Sequence, residues 1–540
     1  MSLEQDLKQI IKGEVAADPK TLDEYSRDWS LFQVMPKAVV WPRDVEDVKA
    51  LVKWGKLPLI ARAAGSDMSG GPLGEGIIVD FTKHINQLKE VGQDYAVVQP
   101  GMFYRDFEKE VAKYGLLFPS YPSSKSLAAI GGIVANNAGG EKSLTYGKTE
   151  KYVSKIKMVC SDGEEHTFSA QHHDDVFSKK IHALITTHYP LITSAKPKVS
   201  KNSAGYALWN VYDKEKNIFD MAQLIVGAQG TLGMITEVTF KLVRPKEHST
   251  LLVLFIDKKH FKDLGNIILK TLEHHPESFE SYDDHTFKIA LKYFPDMLKS
   301  MGTGNLISLG LQFLPELWMA ITGGIPKLVL VAEFTGDSEE EIYAKANAAQ
   351  ESLRSFDIKS HIAKNDREEN KYWTIRRQSF KLLTNHSKGK RTLPFIDDIV
   401  VNPEYLPEFL PKLEEIMSHY DLTFTIAGHA GDGNFHIIPL DKIGDEKLRT
   451  IVPELSKKVF DLVREYHGSI TGEHNDGLVR TPFLSTMFAP EVLALFREVK
   501  NIFDPAGIFN PGKKVGGTLA YEVAHIDTDP TRHFAGEGKE

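Results

Sequence analysis

The sequence predicts an α+β protein built of more than one domain, and three observations carry that prediction. Its 540 residues exceed what one core usually organises, which points to roughly two to four units. Short apolar runs bounded by Gly, Pro and polar turns, at Leu57–Ile60, Ile77–Phe81 and Ala96–Gln99, read as strands. Beyond a composition shift near Pro245, apolar runs such as Leu251–Ile256 and Lys327–Phe334 alternate with helical patterns at Ser338–Phe356 and Pro403–Tyr420. That alternation suits an antiparallel sheet with helices on one face.

Taken in order, residues 1–35 read as a polar, helical lead-in. Pro42-Arg43-Asp44 signals a helix start, and Val45, Val48, Leu51 and Val52 follow at helical spacing. Between the first two strands, the small residues of Ala61–Gly71 leave successive amides able to form a concave nest for an anion such as a diphosphate. A flexible surface loop would look the same. Tyr121-Pro122-Ser123-Ser124 precedes Ile130–Gly140, and Tyr146-Gly147 closes the stretch. Residues without bulk or charge there suit a backbone lying flat against a large planar ligand, with amides and Asn side chains offered to it. The strand, Gly-x-Gly-x-x-Gly and acidic residue of a Rossmann site are missing, which argues against a nicotinamide-binding domain. Ile225–Ile235 repeats the Gly-rich theme, and Ile235–Leu242 alternates like a strand.

Arg376, within Trp373–Arg377, falls on a predicted helix; a solvated helix face competes there with a guanidinium that grips a carboxylate. The strongest chemical signal is Gly428–His436 together with Gly472-Glu473-His474. Apolar runs flank a Gly-Asp-Gly-Asn cluster, a hairpin pattern. With Gly431–Asn434 as the loop, Ala430 opposes Phe435 and His429 opposes His436. Opposed residues have Cβ atoms about 4.5–5.5 Å apart, close enough for two imidazoles to share a metal with bonds of about 2.0–2.1 Å. Glu473 would complete a set of two histidines and one carboxylate suited to zinc, manganese or iron(II), leaving His474 as a proton acceptor. A glycine-rich turn with two surface histidines is the competing reading. Asp445–His467 and Glu491–Phe503 read as amphipathic helices, stopped by Gly468 and by Asp504-Pro505, and the polar tail beyond Lys514 is expected to be disordered.

A net charge of -8 without a strongly basic segment argues against nucleic acid as a partner. Cys160 is the only cysteine, so neither an internal disulfide nor a four-cysteine iron–sulfur cluster can form. Met1–Glu14 has no secretory pattern, and a cytoplasmic protein is expected. Leu306–Ile321, interrupted by Gln312, Pro315 and Glu316, is too broken for a membrane span; it reads as a buried helix or as a segment lying on a membrane or partner surface.

In collinear order from residue 35 to Lys513, these motifs resemble the flavin-linked oxidases with a vanillyl-alcohol-oxidase/PCMH type FAD domain, in the branch of D-lactate, D-2-hydroxyglutarate and glycolate dehydrogenases. The resemblance rests on Ala61–Gly71, Pro122-Ser123-Ser124 with Gly131–Gly140, Gly227–Gly233, Gly428–His436, Thr471–His474 and Phe503–Lys513. It implies a PCMH-type FAD-binding domain of two subdomains at 36–245 after the lead-in. An α+β cap at 246–470 follows, then a C-terminal segment at 471–515 returning to the FAD site, and a polar tail at 516–540. Substrate would lie between cap and flavin. The resemblance makes His429, His436 and Glu473 ligands of a divalent metal (Zn, Mn or Fe), His474 the base and Arg376 the holder of the substrate carboxylate, with Asn434 and Arg480 as further substrate contacts. FAD contacts are implied at Arg62, Ala64, Gly65, Ser66, Asp67, Ser69 and Gly70, and at Pro122, Ser123, Ser124, Gly131, Gly132, Asn136, Asn137, Ala138, Gly140 and Gly147. Gly230, Gly233, Ile235 and Asn510 complete that set.

Covalently flavinylated relatives carry His where this chain has Ser66, so non-covalent FAD is expected. The chain departs from the family in three places. Its first loop reads Ala-Ala-Gly-Ser-Asp where Gly-Gly-Gly-Thr-Ser is usual; Asn475 stands where Gly is usual, a residue that tolerates left-handed dihedrals; and Ile396 stands where the hydroxyglutarate branch has a substrate-binding Lys. The implied activity is FAD-dependent dehydrogenation of a small D-2-hydroxy acid, most simply D-lactate. Electrons would leave to a quinone, a cytochrome, an electron-transferring flavoprotein or a separate iron–sulfur subunit. D-2-hydroxyglutarate or glycolate oxidation with oxygen is the near alternative. A flavin-free metal hydrolase and a non-catalytic flavoprotein subunit are the distant ones.

Overall fold

The computed structural model describes residues 2–171, 174–284, 286, 288, 325–386, 390–442 and 445–529; Leu306–Ile321 lies outside them. The chain divides into two compact units. The first comprises Met1–Gly140, Tyr146–Pro245 and Gly444–Glu540, and the second Glu141–Thr145 with Lys246–Ile443.

The first unit holds β1 (Glu14–Ala16), β2 (Ala38–Trp41), β3 (Leu59–Arg62), β4 (Ile77–Asp80), β5 (Leu88–Val91), β6 (Tyr95–Val98), β7 (Val153–Val159), β8 (Glu165–Ser169), the short pair β9 (Tyr212–Asp213) and β10 (Ile218–Phe219), and β11 (Met234–Lys241). Among the described residues β9 and β10 pair only with each other, and the other strands form two sheets, one ordered β1-β2-β4-β3 with β2, β3 and β4 parallel, the other an antiparallel β5-β6-β11-β7-β8. The helix Val45–Trp54 forms where its spacing predicts. Asp44 accepts from the Asp47 amide to cap it, Gly55 ends it at φ 49°, and Val48, Leu51 and Val52 pack into a core with Val40, Leu59, Ile77 and Val79.

Two stretches differ from expectation. The lead-in is not merely helical: β1 pairs antiparallel with β2, and Leu7, Ile11 and Val15 join the same core. A three-residue strand is too short to show alternation in sequence. The described part of the tail is ordered. Leu519–Ala524 is a helix capped by Thr518, Ile526 is buried, and Asp527 pairs with Arg27 at 3.1 Å. Its apolar anchors are too few to stand out against the polar residues around them.

The second unit is one antiparallel sheet of β12 (His248–Ile256), β13 (Ser278–Asp283), β14 (Leu328–Gly336), β15 (Lys359–Ile362), β16 (Lys390–Thr392), β17 (Ile399–Val400), β18 (Thr423–His429) and β19 (Asn434–Lys442). Their order is β15-β12-β14-β13-β18-β19-β16, with β17 also on β19. The helix Asp366–His386 supplies Tyr372, Trp373 and Ile375 to a core that includes Val253, Tyr282, Val331 and Ala427. The α+β class therefore holds. No helix among the described residues is long and apolar enough to cross a membrane.

Candidate functional site

In the second unit, β18 and β19 pair from Thr423 with Leu440 to His429 with Asn434, and a single 3-10 turn at Ala430–Asp432 leads into Gly433 at φ 64°. The loop is therefore Ala430–Gly433 rather than Gly431–Asn434, because the left-handed turn position falls on Gly433 and closes the hairpin one residue early. His429 opposes Asn434 and His436 opposes Ala427, so the expected oppositions of His429 with His436 and of Ala430 with Phe435 do not occur. The two imidazoles nevertheless meet, with ring centroids 5.3 Å apart and planes at 86°.

Beside them lies Glu280, a residue that the motifs do not reveal. The pairing of Ser281 with Gly428 brings it alongside His429. Its Oε1 is 2.7 Å from His429 Nδ1, and its Oε2 accepts from Arg376 Nε at 3.0 Å and lies 3.0 Å from Nη2. Arg376 is thus buried rather than on a solvated helix face, and it is the neighbouring Arg377 that is exposed, bound to Glu141 at 2.7 and 3.0 Å. The only sequence signal for Glu280 is an acid inside a short segment, Ser278–Asp283, that is buried throughout.

Asn434 Nδ2 donates to Asp398 Oδ1 at 3.1 Å and to the Ile399 carbonyl at 3.2 Å. Its buried Oδ1 has no hydrogen-bond partner among the described residues and remains an acceptor for a ligand's donor. Ile396 is fully buried. The imidazole pair fits a divalent metal: bonds of about 2.0–2.1 Å to one cation set the ring centres about 5 Å apart, and a carboxylate on Nδ1 is the usual support for a ligating histidine.

In the first unit, Glu473 is buried with Lys201 Nζ 3.3 Å from its Oε2, and the partly exposed His474 has Nε2 4.0 Å from Glu473 Oε1. Lys201 was not legible as a site residue. Asn475 adopts φ 71°, the left-handed conformation expected of it, and its Nδ2 donates to the Gly227 carbonyl at 2.9 Å. Arg480, expected to contact substrate, is fully buried and donates from Nε and Nη1 to the Ile470 and Asn475 carbonyls at 3.1 and 3.0 Å, where it holds that turn together.

The glycine-rich stretches expected around FAD meet in the same unit. Asn136 Nδ2 donates to Asp67 at 2.7 Å, Gln229 Nε2 donates to Asn136 Oδ1 at 3.1 Å, and Asn510 Nδ2 donates to the Gly71 and Gln229 carbonyls at 2.9 and 2.7 Å. Ile130–Asn136 is a helix on which Gly131, Gly132, Ala135 and Asn136 remain partly exposed, and a Cβ on Gly132 would meet no atom within 4 Å. Open space over small residues fits a broad flat cofactor. In the loop itself Asp67 Oδ1 accepts from the amides of Ser69 at 2.5 Å and Gly71 at 3.4 Å, and Gly65 and Gly70 take positive φ. Arg62 donates to the Tyr25 and Arg27 carbonyls at 3.3 and 2.8 Å, so at those atoms it supports the loop from below. Burial and the nearby Asp67 carboxylate push Asp28 up to about 7, while burial pushes the Lys513 ammonium down to about 7.

Comparison with known proteins bears on this arrangement. Residues 36–169 match the FAD binding domain family, and residues 244–514 match the family of FAD linked oxidases, C-terminal domain. The chain is similar to a D-2-hydroxyglutarate dehydrogenase of Haemophilus influenzae, 25% identical over 94% of this chain, which spans only 50% of that relative's length. It is also similar to a D-lactate dehydrogenase of Archaeoglobus fulgidus, 28% identical over 91% of this chain and 96% of that one. Among solved structures, 4-ethylphenol oxidase from Gulosibacter chungangensis, in complex with isoeugenol, superposes with a TM-score of 0.67 at 15% identity, over 95% of this chain and 96% of that chain. This last likeness is one of fold.

Proposed function

This chain belongs to the FAD linked oxidases, and on that premise we propose that it oxidises a small D-2-hydroxy acid, D-lactate in the first instance, to the 2-keto acid. The observation that carries the reading is the constellation of the buried Arg376 and His429 with the half-buried His436 on one hairpin and helix of the second unit. Arg376 takes the substrate carboxylate, for which a planar guanidinium is the best-shaped partner. His429 and His436, with Glu473, would hold the divalent metal, and Asn434 is a further substrate contact. His474 removes the hydroxyl proton as the α-hydrogen departs. FAD, when bound without a covalent link through the loops around Gly65, Asn136 and Gly230, supplies the hydride acceptor, and a bound metal supplies polarisation of the hydroxyl. Electrons then pass to a separate acceptor.

Ile396 favours D-lactate, since an apolar buried side chain offers no charge to a second carboxylate. D-2-hydroxyglutarate is the second reading, favoured by the relative of that name that matches 94% of this chain. Both are tested by the anaerobic visible spectrum of the purified protein before and after D-lactate, L-lactate, glycolate or D-2-hydroxyglutarate. Bleaching of the oxidised flavin band is expected fastest with D-lactate. His474→Ala should keep the band and lose the bleaching. A band that no acid bleaches would refute the dehydrogenase reading, and peroxide release in air would move the acceptor to oxygen.

A further inference from the structure

Glu280 lies within reach of two groups of the proposed site at once, and its contacts prescribe more than charge balance. Its Oε1 is 2.7 Å from His429 Nδ1, while its Oε2 lies 3.0 Å from Arg376 Nε and Nη2. Glu280, His429 and Arg376 are 1%, 2% and 8% exposed, so water does not compete for these contacts. Position is set by backbone on two sides. The register of β13 on β18 puts Glu280 next to His429, and the helix Asp366–His386 brings Arg376 in beside Tyr372, Trp373 and Ile375, which pack on the same core as Tyr282 and Ala427.

An ionised carboxylate is an acceptor only. A neutral imidazole facing it must therefore place its proton on Nδ1, which makes Nε2 the nitrogen with the lone pair. The Arg376 charge already balances that of Glu280, so the imidazole is not required as a cation. We propose that Glu280 is a positioning residue: it holds His429 as the Nδ1–H tautomer, so that Nε2 is the atom offered to a divalent cation, and with its second oxygen it fixes Arg376 relative to that histidine. The cation-binding part of this inference rests on the metal reading above; the tautomer part does not.

Glutamine is the informative substitution because it has one oxygen where Glu280 has two. The Arg376 guanidinium claims that oxygen, since a charged donor makes the stronger bond. The amide NH2 then turns towards His429, whose Nδ1 becomes an acceptor and whose proton moves to Nε2. The lone pair that ligation needs is lost.

The test uses the full chain with FAD bound. Zinc affinity is measured by competition with a chromophoric chelator in the natural protein, in Glu280→Gln and in Glu280→Asp. The His429 tautomer is read from imidazole nitrogen resonances of histidine-labelled protein before zinc is added, with His429→Gln giving the assignment. The natural protein is expected to carry the proton on Nδ1. Glu280→Gln should bind zinc about 10–100-fold more weakly while retaining its flavin band, as is typical when the support of a metal-bound histidine is removed. Proton on Nε2 in the natural protein overturns the proposal, as does unchanged zinc affinity in a folded Glu280→Gln. Should Glu280→Gln fail to fold, the tautomer of the natural protein and the zinc affinity of Glu280→Asp decide. A natural protein that takes up no zinc, manganese or iron yet shows His429 protonated on Nδ1 refutes the metal reading alone and supports the tautomer assignment.

Discussion

Substituting Gly433 by alanine tests whether the hairpin geometry that places the two histidines depends on a single left-handed residue. Gly433 sits at φ 64°, and a Cβ there would overlap the Val401 carbonyl oxygen with Pro403 Cδ only 3.3 Å away. Two costs add. A left-handed alanine costs about 1–2 kcal/mol. Relieving the overlap separates β17 from β19 and breaks the 2.9 Å hydrogen bond from Val401 N–H to the Gly433 carbonyl, worth about 1 kcal/mol with further loss from the repacking. Together about 3–4 kcal/mol is expected. Gly512→Ala is the control, because that residue is at φ 81° with nothing within 4 Å of the added Cβ, so it bears the dihedral cost alone. Hydrogen exchange, followed by mass spectrometry on peptides from the β18–β19 hairpin, reads the local cost. With each variant read on the peptides around its own substitution, an excess of about 2 kcal/mol over the control corresponds to about 30-fold faster exchange. Exchange at the hairpin within threefold of the unsubstituted protein would refute the steric argument.

Two further outcomes follow from buried charges. Asp28 titrates near 7 in the folded chain, against about 3.9 for an unperturbed Asp, so the folded state binds more protons between those values. Its contribution is fully present below about pH 4 and is lost as pH rises towards 7; Asp28→Asn should flatten the decline in unfolding free energy across that window, and an unchanged slope would count against it. Lys201→Met should lower stability by about 3 kcal/mol by leaving Glu473 buried without its ammonium partner at 3.3 Å, and Glu473→Gln in the same chain should restore most of the loss. Both are measured in chelator, so that metal does not contribute. A single variant within 1 kcal/mol of the starting protein would show the pair to be incidental.

What could be read in the sequence was local and periodic. Asp44 before Val45, Val48, Leu51 and Val52 is a cap followed by a helical stripe, and the helix starts at Val45 as that pattern requires. Asn475 in place of a glycine foretold a left-handed residue, and φ is 71°. The buried role of Arg480 was not legible, because its acceptors are the Ile470 and Asn475 carbonyls, and backbone acceptors have no residue type to recognise. Lys201 escaped for another reason. It lies 272 positions from Glu473, and no spacing rule links a lysine in a loop to a distant carboxylate.

The hairpin shows why a wrong register can still predict the right neighbours. Moving the loop from Gly431–Asn434 to Ala430–Gly433 changes which residues oppose one another by two positions, and side chains on a strand alternate with a period of two. His429 and His436 therefore stay on one face, now as diagonal rather than direct neighbours. A shift by one position would have sent His436 to the other face and removed the pair altogether. The diagonal arrangement carries its own requirement, since an imidazole that reaches across a strand pair must be held at the correct rotation. That holding falls to a third strand, through Glu280 on β13, whose pairing with β18 begins almost 150 residues earlier in the chain. The chemistry of the two histidines was thus local to one hairpin, whereas their orientation belongs to the sheet.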